Sequence, residues 1–362
     1  MKYLIVTQTY PPRIGGMQSV MHAISYKLSS LNETHVFPDH FFKMDTNNLN
    51  FKINIHNNFS PKLVRPLVKK KLVSNTYQDE DIIICDSWKS LNAVPKKAKK
   101  IIVFAHGQEF LSITRKKEQV QNALNRANYI ICSSTYTSEL IENLNITNTP
   151  RIVIPPTYSL KSISNKKEEN TLKKIEKVSI LTISRLEERK GIIPVLKSLS
   201  EMNNKKKLKP FFWNICGEGI QANEIKESII NFNLSEYVKL VGKVNGKDKK
   251  ALLKNADLFV MPSYRVDNSI EGFGISYVEA AAYAIPSISG IEGGVRDAVI
   301  DCKTGWCVNP LDKEVLSKTL MDAINHKSKR EQYGINAKKR FLEYFLGEKV
   351  FGKFLDTINS QF

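Results

Sequence analysis

The sequence predicts an α/β protein of two domains, each built on a doubly wound parallel sheet. The chain has 362 residues, which is enough for two domains of ordinary size. Short apolar runs alternate with longer amphipathic stretches along its whole length, as strands and helices do in such folds. The runs are continuously apolar rather than alternating, which is typical of parallel strands buried on both faces.

The predicted strands form two groups, one in each half of the chain. The first group is 3–6, 82–85, 101–105, 129–133 and 152–154. The second group is 179–184, 211–216, 238–241, 258–261 and 286–289. Helices are predicted at 17–30, 192–203, 223–232 and 247–255. Strands and helices therefore follow each other in both halves, as in Rossmann-like domains.

A polar, charge-dense break without apolar periodicity separates the two groups at 159–177. We interpret it as a linker, placed at 161–177, between an N-terminal domain over 1–160 and a C-terminal domain over 178–345. The tail, 346–362, has apolar residues at helical spacing and is expected to form an amphipathic helix that packs back on the N-terminal domain. Because ligands bind at the carboxyl ends of parallel strands, two facing sheets would enclose a cleft.

The composition excludes several classes of protein. Hydrophobic residues make up 42% and charged residues 25% of the chain, as in soluble globular proteins. No apolar run approaches the ~18 residues of a membrane span, and the first run is too short for the core of a signal peptide. The five cysteines form no CxxC pair, and three of them lie in apolar runs, as buried thiols do in a reducing compartment. We therefore expect a cytoplasmic protein.

The chain is strongly basic, with a formal net charge of +18. Such a charge attracts polyanions, which include nucleic acids, anionic membranes and phosphorylated substrates. Aromatic residues are not interleaved with the basic runs, and no recognition-helix pattern appears. A nucleic-acid-binding protein is therefore the least favoured interpretation, and we expect no nucleic-acid partner.

Three turns that follow predicted strands carry candidate phosphate-binding residues. Gly15 and Gly16 precede the first helix, where a glycine turn lets the backbone approach a ligand and the helix start offers N–H groups to an anion. Arg185 and Lys190 are two cations that could hold a diphosphate. Gly217 follows the next strand. An ordinary turn explains each glycine equally well, and the charged residues 187–189 make a solvated loop the alternative for the two cations.

The strongest motif is 271–279, which reads EGFGISYVE and continues into an alanine-rich helix. A glycine-bearing loop that enters a helix presents N–H groups suited to phosphate. Glu271 and Glu279 lie eight residues apart, so they can accept hydrogen bonds from hydroxyls at two ends of an extended ligand. The structural alternative is that Glu271 caps the helix and Glu279 is a partly buried helix residue. We favour the ligand, because the surrounding small and apolar residues indicate a crowded interior.

Taken together with Pro286 and the glycine pair at 293–294, these motifs resemble those of the family 4 retaining glycosyltransferases, which have the GT-B fold. The resemblance extends over essentially the whole chain, in order. It implies that Arg185 and Lys190 neutralise the diphosphate of a nucleotide diphosphate sugar, that Glu279 binds the ribose, and that Glu271 faces the donor sugar. The residues implied in binding the donor through their backbone are Gly272, Phe273, Gly274 and Ile275, together with the turn glycines Gly15, Gly16 and Gly217.

A histidine in the N-terminal half also fits this resemblance. His106 stands at the carboxyl end of the predicted strand 101–105 and begins a His-Gly segment similar to that of the family. The resemblance places it next to the transferred sugar, and its position at a strand end favours this role over that of a structural histidine. The four residues implied in catalysis are His106, Glu271, Arg185 and Lys190.

The resemblance implies a retaining transferase that moves a hexose to a lipid-linked or cell-surface glycan, as in lipopolysaccharide, capsule or glycolipid assembly. Residues 293–299 resemble mannosyltransferases of the phosphatidylinositol mannoside type slightly better than UDP-sugar users, which favours mannose from GDP-mannose. No metal or other cofactor is expected. The acidic triplet 79–81 mimics a metal-binding DxD motif but precedes its strand, so it more plausibly caps that strand.

Two further expectations stay open at this point. A nucleotide-sugar epimerase of the same architecture is the main alternative, and Glu109 beside His106 is its only candidate base. The segment 60–75 reads as a basic amphipathic helix, with Ser60 as its cap and Lys69 on the basic face. It either packs on the sheet with its lysines in water or lies on the anionic inner membrane face.

Overall fold

The computed structural model describes residues 1–13, 15–40, 53–161 and 177–362. The chain divides into two compact units. Unit 1 consists of Met1–Leu160 together with Gly347–Phe362, and unit 2 is Lys161–Leu346. The predicted linker lies outside the described residues, apart from Lys161 and Lys177 at its two ends.

Unit 1 is a seven-stranded sheet with the order β3-β2-β1-β4-β5-β6-β7. All of its strand pairs are parallel, so crossover segments connect them. The strands are β1 (Tyr3–Val6), β2 (Thr34–Phe37), β3 (Ile53–Ile55), β4 (Ile82–Cys85), β5 (Lys100–Ala105), β6 (Tyr129–Cys132) and β7 (Arg151–Val153). Helices within this part are α1 (Gly16–Ser29), α2 (Arg65–Thr76), α3 (Lys117–Leu124) and α4 (Thr135–Asn143).

Unit 2 is a six-stranded parallel sheet with the order β10-β9-β8-β11-β12-β13. Its strands are β8 (Val178–Ile183), β9 (Phe211–Cys216), β10 (Val238–Gly242), β11 (Leu258–Met261), β12 (Ser287–Ser289) and β13 (Gly305–Cys307). Its helices are α5 (Ile192–Asn204), α6 (Ala222–Asn231), α7 (Gly246–Asn255), α8 (Ile275–Ala282), α9 (Val295–Ala298), α10 (Lys313–Asn325) and α11 (Lys327–Arg340). Two doubly wound sheets are thus present, which confirms the predicted fold class.

The last helix, α12 (Gly347–Gln361), belongs to unit 1. It is anchored at its start, where the Gly347 N–H donates to the carbonyl of Leu160 at 2.8 Å. Its apolar stripe is buried, and the Phe354 ring lies 5.9 Å from that of Phe104 and 5.8 Å from that of Tyr158. Burial of this stripe explains why the helical spacing of apolar residues is visible in the sequence.

The sequence analysis did not predict three of the described strands, β2, β3 and β13. β2 and β13 each combine one or two apolar residues with polar ones or glycine, and β3 is three residues long. Runs this short do not stand out from loop sequence. All three lie in the outer part of a sheet, two of them at an edge.

The segment 60–75 differs from the prediction in two respects. The helix begins at Arg65 rather than at Ser60, and Pro66 occupies its first turn, where proline is tolerated. Lys69 does not face solvent: its Nζ lies 2.7 Å from Asp39 Oδ1 and 2.8 Å from the carbonyl oxygen of Thr7. The placement of Lys69 on a solvent-facing or membrane-facing side is therefore wrong, because this ammonium is buried and hydrogen-bonded inside unit 1.

Within the described ranges, no helix is both long enough and apolar enough to cross a membrane.

One member of the acidic triplet, Asp81, has a structural role at the start of a strand. Asp81 is fully buried, and its carboxylate accepts hydrogen bonds from the backbone N–H groups of Lys2 and Gln78, both at 2.8 Å. These bonds fix the start of β4 beside β1.

Candidate active site

The chain leaves β8 through a tight turn that sends two cations inward. A short 3-10 turn at Glu188–Lys190 is closed by Gly191, which has a φ of 70°. A Cβ at this position would lie 2.3 Å from the carbonyl oxygen of Pro262, so only glycine fits. The turn leaves Arg189 4% exposed and Lys190 6% exposed.

These two cations hold Glu271. Oε2 of Glu271 lies 2.9 Å from an Nη atom of Arg189 and also accepts a hydrogen bond from Nζ of Lys190. Arg189 also donates from Nε to Glu187 at 2.9 Å, and Arg185 pairs with the other oxygen of Glu187 at 2.7 Å. We call these five residues the Glu271 cluster. It contains three cations and two carboxylates, so it carries a net positive charge.

Burial and pairing act in opposite directions on the charges of the Glu271 cluster. Burial tends to raise the pKa of Glu271, but Lys190 and Arg189 outweigh it and hold that pKa below its usual value. Burial also lowers the pKa of Lys190, and Glu271 offsets only part of this effect. The carboxylate is therefore ionised at neutral pH, and its charge is balanced by protein cations.

The positions of the three cations differ from the sequence analysis at one residue. Lys190 is buried against Glu271, whereas the Arg185 side chain is 67% exposed and pairs with Glu187. A solvated loop was the alternative for 187–189, and it does not describe Arg189, because its guanidinium bridges two carboxylates inside the unit. The only sequence signal for such pairing is that two acids are followed directly by two bases at 187–190.

The 271–279 segment enters α8 through a left-handed glycine. Gly274 has a φ of 89° and a Cβ there would lie 2.4 Å from the ring of Tyr277. The Tyr277 hydroxyl in turn donates to the carbonyl of Met261 at the end of β11. The loop that starts α8 is thus fixed to the carboxyl end of a central strand.

Two further contacts hold this loop, one from Gly294 in the turn before α9 and one from its own Phe273. The Gly294 N–H donates to the carbonyl oxygen of Glu271 at 2.9 Å, so the predicted glycine pair supports the backbone of this glutamate. Phe273 is 3% exposed, with its ring 5.9 Å from that of Phe345. Its side chain therefore belongs to the core, while Gly272 and Ile275 on either side remain partly exposed.

Glu279 lies on α8 and pairs with a lysine of α7. Nζ of Lys249 is 2.6 Å from one carboxylate oxygen of Glu279 and 2.7 Å from the other. The two side chains are 30% and 20% exposed. Sequence analysis missed Lys249, since nothing in its own helix distinguishes it from the neighbouring lysines.

Gly217 has a structural reason to be glycine. Its φ is 141°, and a Cβ at this position would lie only 1.8 Å from the carbonyl oxygen of Ser184. The turn after β9 therefore passes directly against the residue that follows β8. This close approach accounts for the glycine as a turn residue, which is one of the two interpretations left open by the sequence.

In unit 1 the predicted histidine lies at the carboxyl end of β5. The His106 ring stacks on Phe104 at 6.3 Å, and its Nε2–H donates to the carbonyl oxygen of Asp86 at 3.0 Å. The Asp86 carboxylate is fully buried and accepts from the Thr7 hydroxyl and the Gln8 N–H. Because the Asp86 carbonyl oxygen can only accept, the proton of this contact lies on Nε2, and Nδ1 can act as an acceptor in the corresponding tautomer.

The glycine loop after β1 and the acid beside His106 complete this edge of unit 1. Gly15 has an extended backbone that any residue adopts, and the three atoms nearest to a Cβ there all belong to the flexible side chain of Gln18. Gly16 begins α1. Glu109 accepts a hydrogen bond from the backbone N–H of His106 at 2.7 Å, so its carboxylate already has a local structural partner.

Both the sequence and the fold of this chain are similar to those of known proteins. Residues 163–340 match the family model described as glycosyl transferases group 1. The chain is similar to glycosyltransferases. The matched stretch contains the whole Glu271 cluster and the pair formed by Lys249 and Glu279.

Curated glycosyltransferases match parts of the chain. The amylovoran biosynthesis glycosyltransferase AmsK of Erwinia amylovora is 29% identical over 143 residues, which is 39% of this chain and 35% of AmsK. A GDP-mannose-dependent monoacylated alpha-(1-6)-phosphatidylinositol monomannoside mannosyltransferase of Corynebacterium glutamicum is 21% identical over 355 residues, which is 92% of this chain and 91% of that protein. The chain spans about a third to a half of the length of the first curated relatives that it matches.

A solved structure is similar over the whole chain. Anabaena HepE, crystallised with UDP and glucose, is similar over 99% of this chain and 100% of HepE, with a TM-score of 0.78 and 19% identity. This likeness shows the fold alone. The fold is that of the GT-B glycosyltransferases, with two Rossmann-like units, as the sequence predicts.

Proposed function

We propose that this chain is a retaining glycosyltransferase that moves a hexose from a nucleoside diphosphate sugar to a glycan or lipid-linked acceptor. The Glu271 cluster carries the proposal. It presents net positive charge at the carboxyl edge of a parallel sheet, next to a glycine loop that starts a helix. A diphosphate needs this combination of cations and free backbone N–H groups.

Each residue of the unit 2 site has an assigned role in this proposal. Lys190 and the exposed Arg185 neutralise the diphosphate, together with the backbone of Gly272, Phe273, Gly274 and Ile275. Glu279 accepts hydrogen bonds from the ribose hydroxyls. Glu271 binds a hydroxyl of the hexose, because two cations occupy one of its oxygens and leave the other as an acceptor.

The reaction we propose takes place on one face of the sugar. The bond from C1 to the departing phosphate oxygen breaks, the bond from C1 to the acceptor oxygen forms on the same face, and the acceptor proton passes to the departing phosphate oxygen. Lys190 and Arg185 stabilise the charge that develops on the phosphate. We assign His106 to the hexose, since its Nδ1 can accept a hydrogen bond from a sugar hydroxyl.

The donor we propose is GDP-mannose, and the alternative donor is UDP-glucose. The resemblance of residues 293–299 to mannosyltransferases supports the first, and so does the name of the Corynebacterium relative. The ligands of HepE support the second. We assign the acceptor to polysaccharide or glycolipid assembly, a choice supported by the names of AmsK, which refers to amylovoran biosynthesis, and of the Corynebacterium relative, which refers to a phosphatidylinositol monomannoside.

Incubation of the purified protein with each sugar nucleotide, without acceptor and in EDTA, tests the class of enzyme. We expect one donor to raise the melting temperature, since a ligand at 100 times its Kd adds about 2.7 kcal/mol to the free energy of unfolding. The stabilisation persists in EDTA, because protein cations replace a metal. Conversion of the donor into a second sugar nucleotide would instead identify an epimerase, for which Glu109 is poorly available.

We also propose that the protein is cytoplasmic and contacts the inner membrane face through the surface around α2. Leu63 is 93% exposed and Leu67 is 69% exposed. Lys62 and Lys70 are exposed within three residues of them. An exposed apolar pair among lysines suits an anionic lipid surface, where each cation contributes ~1 kcal/mol.

Sedimentation with anionic vesicles at low salt tests this surface. We expect a variant carrying both Leu63→Ser and Leu67→Ser to lose most of its binding, because the inserted apolar area is gone. Leu311→Ser is the matched control, since this leucine is 63% exposed in unit 2. Equal sedimentation of all three proteins, or none by the unmodified chain, would contradict membrane contact. Lys69 is left unchanged because it is buried.

A further inference from the structure

The carboxylate of Glu279 is held in a fixed orientation by Lys249. The ammonium lies 2.6 Å and 2.7 Å from its two oxygens, which is a symmetrical, two-point contact. Both side chains are largely covered by protein, so the pair is screened less than one on the open surface. Rotation of the carboxylate away from this position would break two charge-assisted hydrogen bonds.

The topology brings this lysine to the edge where the ligand is proposed to bind. α7 begins after β10, with Asn245 as its cap, and Lys249 lies in its first turn. α7 packs against β8, which neighbours β11 in the sheet, and α8 follows β11. Because both helices start at the carboxyl ends of parallel strands, their first turns meet on the same side of unit 2.

Lys249 differs from the other lysines of its helix. Lys247, Lys250 and Lys254 are exposed, and within the described part of the chain none of the three has an acidic partner within 4.0 Å. Lys249 alone among these four is partly buried and bonded to a carboxylate. Solubility alone explains the three exposed lysines of α7, but it does not explain why the fourth contacts Glu279.

We propose that Lys249 is a positioning residue that holds Glu279 for the ribose of the donor, an inference that rests on the proposed function. An ionised carboxylate has about four lone-pair positions. The ammonium uses one on each oxygen, which leaves one on each oxygen for the 2′ and 3′ hydroxyls. Lys249 also cancels the charge of Glu279, which would otherwise repel the nearby diphosphate.

Affinity for ribonucleoside and 2′-deoxyribonucleoside diphosphates measures this positioning. Kd is determined by calorimetry for GDP and UDP and for their 2′-deoxy forms. The unmodified protein is expected to prefer the ribose form of its nucleotide by about tenfold or more, because each hydroxyl bonds to a charged group. Lys249→Met is expected to reduce this preference to less than about threefold and to weaken binding of the ribose form most.

Two further variants separate positioning from general stability. Lys249→Arg retains the charge and two donors, so it is expected to restore most of the preference. Lys250→Met removes an exposed lysine from the same helix. It is expected to leave the Kd of the ribose form and the Kd of the 2′-deoxyribose form unchanged. If Lys249→Met is too unstable to measure, Lys249→Gln gives the same readout, because it removes the ammonium that contacts both oxygens of Glu279 while a polar side chain remains.

The outcomes distinguish this inference from the proposed function. A folded Lys249→Met protein with an unchanged ribose preference would overturn the positioning role while leaving the glycosyltransferase proposal in place. An unmodified protein that binds neither nucleotide would overturn both. An unmodified protein that binds without a ribose preference would overturn the roles of Glu279 and Lys249 together.

Discussion

Replacement of Lys190 by methionine is expected to lower kcat by a factor of about 100 to 1,000, because the group that stabilises the departing phosphate is lost. The side chain is 7% exposed, so water cannot replace its charge. Glu271 is left with Arg189 as its remaining cation in the cluster. Loss of one partner from a buried ion pair costs about 3 to 5 kcal/mol of stability, so kcat is measured at a temperature where the variant is folded.

Two comparisons keep this result interpretable. Lys313→Met breaks an exposed ion pair with Glu201, 2.9 Å long, in the same unit. Such exposed pairs contribute little to stability, so neither kcat nor the melting temperature should change appreciably. If the Lys190→Met protein kept more than a tenth of the normal kcat, Lys190 would not be the group that stabilises the departing phosphate.

Replacement of Gly217 by alanine is expected to destabilise unit 2 by about 3 kcal/mol or more. The new Cβ would lie 1.8 Å from the carbonyl oxygen of Ser184, so the backbone of one turn must move. The left-handed region of φ adds further strain. The melting temperature of the unit is expected to fall by roughly 6 to 12 °C.

Gly246→Ala is the matched control for this substitution. Gly246 is the first residue of α7, and nothing lies within 4 Å of the position that its Cβ would occupy. Its replacement should leave the melting temperature unchanged or slightly higher. If Gly217→Ala instead melted normally but lost affinity for nucleoside diphosphates, the close approach to a phosphate would be the correct interpretation of this glycine.

The central strands could be predicted because they are continuous apolar runs. Ile82–Cys85 and Leu258–Met261 are fully buried in the middle of their sheets. A strand that is buried on both faces requires apolar residues at every position, so it is visible as a continuous apolar run. Thr34–Phe37 and Gly305–Cys307 lie nearer the edges and mix apolar with polar residues or glycine. Pairing with a neighbouring strand defines them, and a single sequence contains no direct record of that pairing.

The candidate site was predictable residue by residue but not as a network. Glu271 and Lys190 stand out by their motifs, yet their contact joins positions 81 residues apart. Arg189 and Lys249 have no motif of their own, and only the folded chain places each beside a glutamate. The placement of Lys69 was wrong for the same reason, since helical periodicity contains no information about a partner distant in sequence such as Asp39.

The configuration of the product at C1 shows whether the hexose is transferred on one face of the sugar, as we propose. The protein is supplied with the sugar nucleotide that stabilises it and with a glycan or lipid-linked acceptor, and the one-bond coupling between C1 and its proton is measured by NMR in donor and product. We expect the same anomeric configuration in both, because departure and attack occur on one face of the sugar. An inverted linkage would contradict the proposed reaction.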